Sequence, residues 1–125
     1  MTKETKIFRE WSFAQKRDEW MRRLASVPER DIASGAKLVG FRLTLYMHEW
    51  KRRAHPGYDQ LGSDCGMGAR VVQTHTKALE KAGWIEVRRR RNIGNTYWLR
   101  YPWERDPFSE QEYDNGTGVP LVTEP

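Results

Sequence analysis

The chain has one cysteine, no long apolar run and, over most of its length, few acids. With Cys65 as its only cysteine it can form neither an intrachain disulfide nor a multi-cysteine zinc site. That suits a reducing compartment. No apolar run approaches the roughly 20 residues that span a bilayer. "MTKETKIFREW" (1–11) lacks the apolar stretch of a signal peptide, so the expectation is a cytoplasmic protein with no membrane partner. Only 38% of the residues are apolar, which leaves little to spare for a core, and six tryptophans are the natural compensation. The length, 125 residues, fits one domain with short flanks.

The shortage of acid is local. Residues 1–103 hold 21 Lys and Arg against 11 Asp and Glu, a net of +10, whereas 104–125 hold one Arg and six acids, a net of −5. A basic body with an acidic tail is the asymmetry of a nucleic-acid binder, and ordinary solubilising charge is the alternative. The sequence shows no Ser–His–Asp arrangement, phosphate-cradling loop or metal-ligand spacing, and His48 and His55 lack spaced partners. No catalytic residue, metal or cofactor is therefore expected.

Periodicity predicts mainly helix with one small antiparallel β-hairpin. Ser12 and Gln15 form a capping box opening a helix to about Ser26, with Phe13, Trp20, Met21 and Leu24 as its apolar stripe. These aromatics serve either core packing or a homodimer through the N-terminal helix. A second helix is expected from Ser34, as N-cap, to Trp50. Two adjacent apolar faces (Leu38, Phe41, Leu45 and Val39, Leu43, Tyr46) suit a central core helix, and the Lys51–Arg53 cations suit its C-terminal end. A short helix over 58–65, a glycine turn at 66–68 and a longer helix over 69–82 follow, with Gly83 as left-handed cap. "WIEVR" and "TYWLRY" read as strands around a turn "RRRNIGN", with Tyr97, Leu99 and Tyr101 on one face. From Pro102 onward the segment is rich in Pro, Gly and acid and reads as disordered, either binding a protein partner or covering the basic surface. The divisions are 1–33 (N-terminal extension), 34–101 (central domain) and 102–125 (acidic tail).

"PGYDQLGSDCGMGARVVQTHTKALEKAGWIEV" followed by "NTYWL" resembles the winged helix-turn-helix family of bacterial and phage regulators and replication initiators. The positions that carry the likeness are Pro56, Leu61, Gly66, Val72, Leu79, Gly83, Ile85, Asn95, Tyr97 and Leu99. Gly57 and Gly68 stand where the pattern has Ser, Met67 where it has Val, Thr76 where it has Leu, and Gly62 where it has Ala, which should weaken the short helix. The resemblance implies a winged helix-turn-helix fold with an extra N-terminal helix, and double-stranded DNA as partner. It places the longer helix in the major groove and the hairpin, 88–95, on the backbone or in the minor groove.

The residues agree with that implication. Val72, Thr76, Leu79 and Ala82 make the inward stripe of the longer helix, and Ala69, Arg70, Gln73, Thr74 and Lys77 lie opposite. Arg can read guanine, Gln adenine, and small Ala and Thr a thymine methyl. Arg70, Gln73 and Thr74 are expected on bases and Lys77 on a phosphate. Arg88, Arg89, Arg90 and Arg91, four adjacent like charges, are expected to meet phosphate or a minor groove, with Asn92 and Asn95 beside them. Lys51, Arg52 and Arg53 add backbone contacts or cap a helix. His75 and Cys65 are expected to be packed. The function expected is a sequence-specific, nucleoid-associated transcriptional regulator of a bacterium or mobile element. The alternatives are a replication or recombination accessory protein and a protein-interaction module of the same fold.

Overall fold

The computed structural model describes residues 7–91, 94–104 and 109–113. Four helices, α1 (Phe13–Ala25), α2 (Ser34–Thr44), α3 (Tyr58–Cys65) and α4 (Ala69–Lys81), precede an antiparallel pair, β1 (Ile85–Arg90) and β2 (Gly94–Leu99). Single 3₁₀ turns lie at Phe8–Glu10 and Glu110–Tyr113. Among the described residues no helix is long and apolar enough to cross a membrane.

Local chemistry starts α1 as its sequence predicts. Ser12 Oγ accepts from the Gln15 N–H at 3.2 Å, and Gln15 Oε1 accepts from the Ser12 N–H at 2.9 Å. The box satisfies two of the N–H groups that a helix start leaves without a partner. Phe13, Trp20 and Leu24 are fully buried, so these three side chains pack in the core, while Trp11 and Met21 are half-buried. Trp20 Nε1 donates to the Trp84 carbonyl at 3.0 Å, fixing α1 against the chain entering β1.

Helix α2 differs from its sequence reading at both ends. Ala33 occupies the cap, and Ser34, already helical, donates its N–H and its hydroxyl to Glu29 Oε1 at 2.9 and 2.5 Å. The helix stops at Thr44, short of Trp50. The chain tightens through the bonds Tyr46 N–H to Leu43 C=O and Met47 N–H to Thr44 C=O, then folds back with His48 and Lys51 bonded to each other. The reason is non-local. Ala54 exchanges both backbone bonds with Tyr97, at 3.0 and 2.8 Å, adding a one-residue third strand to β2. A helix running through residue 50 would carry Ala54 away from that edge. Only one of the two apolar faces of α2 is core: Ala36, Val39 and Leu43 are buried, while Leu38 and Leu45 are 46% and 69% exposed.

The strands pair Ile85 with Leu99, Val87 with Tyr97 and Arg89 with Asn95. These residues share one face, because side chains alternate along a strand. Ile85, Tyr97, Leu99 and, beyond the strand, Tyr101 are buried, as the alternation predicts. Arg89 and Arg90 lie in β1 itself and not in the turn where the sequence pattern put them. Trp98 is on the opposite face, yet only 5% exposed. Gln111 lies across that face, donating to Glu86 Oε2 at 2.9 Å and accepting from Arg88 at 3.4 Å.

The acidic segment expected to be disordered from residue 102 on is in part docked. Trp103 stacks with Phe8, Trp84 and Tyr101, with centroids 5.5–5.9 Å apart. Glu110 is fully buried: its carboxylate accepts from Arg52 Nη1 at 3.0 Å and from the Tyr101 hydroxyl at 2.5 Å, and Lys16 Nζ lies 3.7 Å away. Lys16 and Arg52 are themselves 1% and 5% exposed. Arg52 is thus an interior residue, neither a helix cap nor a backbone-contacting cation as its place in "KRR" suggested. Burial pulls the Lys16 ammonium below its usual range, and the Glu110 charge opposes that shift. The rest of the tail lies outside the described residues.

Removing one partner from a buried ion pair costs about 3–5 kcal/mol, because the remaining charge loses its compensation. Glu110→Gln keeps the shape and deletes the charge, so urea unfolding should show a loss of that order. A loss below about 1 kcal/mol would mean that the cluster is held by other partners.

Candidate nucleic-acid interface

Helix α4 packs between α2 and α3 and leads directly into β1. Its inner stripe, Val72, Thr76 and Leu79, is fully buried. Thr76, the polar member, donates its hydroxyl to the Gln73 carbonyl at 2.9 Å, so burial leaves that group bonded. His75 packs against Gly35 of α2, where a Cβ would meet Nε2 at 2.5 Å.

The approach of α3 to α4 depends on two glycines. Gly66 has φ +72°, the left-handed region, and closes α3. Gly62 lies under the turn: its carbonyl accepts from the Met67 N–H at 2.9 Å, and a Cβ there would stand 2.3 Å from the Met67 oxygen. Helix propensity alone favours Ala over Gly by about 1 kcal/mol. Close approach of backbone to backbone outweighs that, which accounts for the residue the sequence reading treated as a weakness. The far end of α3 is tied to α2 through Asp64, which accepts from Tyr46 Oη at 2.5 Å and Gln60 Nε2 at 3.0 Å and forms an ion pair with Arg42, whose Nε lies 3.1 Å away. The Tyr46 bond, before the others, holds the Asp64 carboxyl below its ordinary range. Cys65 is half-buried, and burial pushes its thiol up.

The outer side of α4 is open. Arg70, Thr74 and Lys77 are exposed, and Ala69 and Gln73 are half-buried. Thr74 donates to the Arg70 carbonyl at 3.2 Å. The side chains of Arg70, Gln73 and Lys77 make no hydrogen bond or ion pair among the described residues.

The four hairpin arginines divide into two pairs. Arg89 points inward with Val87 and reaches α4, where Nη2 and Nη1 lie 2.8 and 3.3 Å from the two Glu80 oxygens. The Glu80 bond, with the Tyr58 hydroxyl at the start of α3 nearby, raises the Arg89 guanidinium above its ordinary range. Arg88 lies over the Trp98 ring at 5.8 Å and reaches Gln111. Arg90 and Arg91, at the end of the strand, are exposed and have no partner among the described residues.

Asn95 is turned inward too, donating to Tyr97 Oη at 3.1 Å, and burial pushes that phenol up to about 12. Asn92 lies outside the described residues. Of the residues the sequence singled out, Arg70, Gln73, Thr74, Lys77, Arg90 and Arg91 are accessible, with Ala69 partly so, whereas Arg88, Arg89 and Asn95 have partners within the chain. Glu80, Tyr58 and Gln111, which hold the hairpin, were not foreseen. The period-two pattern from Ile85 could have placed Arg89 on the inner face, but nothing local signals Gln111. Among the described residues no group of His, Cys, Asp or Glu could hold a metal ion. Comparison with protein-family models, curated proteins and solved structures finds no match.

Gly62→Ala should destabilise the protein by about 1–3 kcal/mol in thermal or urea unfolding, through the clash at Met67. Gly57→Ser is the control: the residue caps α3 with extended backbone and has no atom within 4 Å of a Cβ. It should change stability by less than about 0.5 kcal/mol. Equal effects at both positions would refute the close-approach account.

Proposed function

We propose that this chain is a winged helix-turn-helix protein that binds double-stranded DNA sequence-specifically, as a transcriptional regulator of a bacterium or mobile element. The observation that carries the reading is a set of accessible basic and polar side chains, Arg70, Gln73 and Lys77 on the outer side of α4 and Arg90 and Arg91 at the end of β1, which packs against α4, all lacking side-chain partners among the described residues. The element order supports it, since helix, one-residue strand at Ala54, helix, turn, helix and hairpin follow one another as the fold requires. In this reading α4 enters the major groove, Arg70, Gln73 and Thr74 meet base edges, and Lys77 meets a phosphate. Arg90 and Arg91 neutralise backbone phosphates or enter the minor groove. Arg88, Arg89 and Asn95 leave the contact list and become hairpin structure.

Selection from a random duplex pool, followed by fluorescence anisotropy, tests this. Arg70→Ala should weaken the selected site by about 1–3 kcal/mol and relax base preference at one position. Equal losses on selected and scrambled duplex would remove Arg70 from the base readers. Replacing Arg90 and Arg91 together by Ala should weaken all duplexes alike and lower the slope of log K against log salt by about 1.8, at about 0.9 per phosphate. No binding to any duplex at low salt would overturn the proposal and favour a protein-interaction module.

A further inference from the structure

We infer that Glu80 is a positioning residue for the proposed interface: it holds the hairpin against α4 so that Arg90 and Arg91 address the same duplex as Arg70. The inference rests on the DNA-binding reading and adds a residue and a role to it.

Glu80 lies seven residues after Gln73, two turns on, or about 10 Å, and within about 20° of it around the helix. It therefore sits on the flank of the accessible side. A carboxylate there repels phosphate, so by charge alone it opposes DNA binding. Its geometry gives it another use. Both oxygens face the Arg89 guanidinium, at 2.8 and 3.3 Å, a paired arrangement that fixes direction as well as distance. Arg89 is immediately followed by Arg90 and Arg91, so the clamp lies within two residues, roughly 7 Å of strand, of the unpaired cations. Tyr58 brings the start of α3 to the same guanidinium. One side chain thus joins α3, α4 and β1. The clamp also removes one charge from a run of four adjacent arginines, which lowers the repulsion the free hairpin must bear.

A pair this exposed, 43% and 34% by side chain, holds only a modest free energy. The sign of the effect is what discriminates. If Glu80 were only a surface acid, Glu80→Gln would release Arg89 to phosphate, tighten binding and steepen the salt dependence. If Glu80 positions the hairpin, the same change loosens the hairpin and weakens the selected site although the net charge becomes more positive.

The experiment uses the full chain with Glu80→Gln and with the exchanged pair Glu80→Arg/Arg89→Glu. Two readouts are taken: amide hydrogen exchange of Arg88–Arg90 without DNA, and anisotropy with a fluorescein-labelled selected duplex. Glu80→Gln should speed exchange in the hairpin and weaken the selected duplex about three-fold. The exchanged pair, which conserves charge, should recover both. Unchanged exchange, binding as tight as or tighter than wild type, or no recovery in the exchanged pair would each overturn the inference. If wild type binds no duplex, the DNA reading fails by itself, and the exchange measurement still decides whether Glu80 braces the hairpin.

Discussion

The carboxylate of Glu110 joins three parts of the chain that are distant in sequence. Lys16 comes from α1, Arg52 from the segment after α2, and Tyr101 from the end of the hairpin strand. Two cations taken out of water need a counter-charge, and Glu110 lies beside both, while Glu49 pairs with Arg52 as well. The Arg52 guanidinium also lies 5.5 Å from the centre of the Phe13 ring, so the charged cluster continues the aromatic core without a break. With Arg52 turned inward, the backbone at Ala54 meets Tyr97, and β2 acquires its second, one-residue neighbour.

From that scaffold the arrangement of α3, α4 and the hairpin follows. Gly62 lets the α3–α4 turn close on itself, Asp64 ties that turn to α2, and Trp84, bonded through its carbonyl to Trp20, fixes where β1 begins. The outer side of α4 is left uncovered because its inner stripe satisfies every neighbour it has. The accessible cations are therefore the ones the packing does not use.

Much of this was legible in residue order, where the determining interactions are short-range. The Ser12–Gln15 box, the inner stripe of α4 and the period-two run through Tyr97, Leu99 and Tyr101 each involve residues a few positions apart and are found, except that Ala82, expected on the stripe, is exposed just past the end of α4. Helix α2 was read too long because its stop is set by Ala54 pairing with Tyr97, 43 residues later, which no local pattern announces. Arg52 looked like a surface charge within "KRR", and Glu110 like one acid among several in a polar tail; their meeting spans 58 residues. The four arginines looked equivalent because composition does not say which strand face meets a helix. Glu80 opposite Arg89, and Gln111 and Trp98 beside Arg88, separate them.

The position of Glu110 also has a consequence during synthesis. Ribosomes extend a chain at about 5–20 residues per second, N-terminus first. Lys16 and Arg52 are made well before the Glu110 carboxylate that pairs with them. Until residue 110 is made, closing α1 onto the body buries Lys16 and Arg52 without the Glu110 carboxylate beside them. The Glu110 arm of this cluster is thus added only as synthesis nears the end of the described residues.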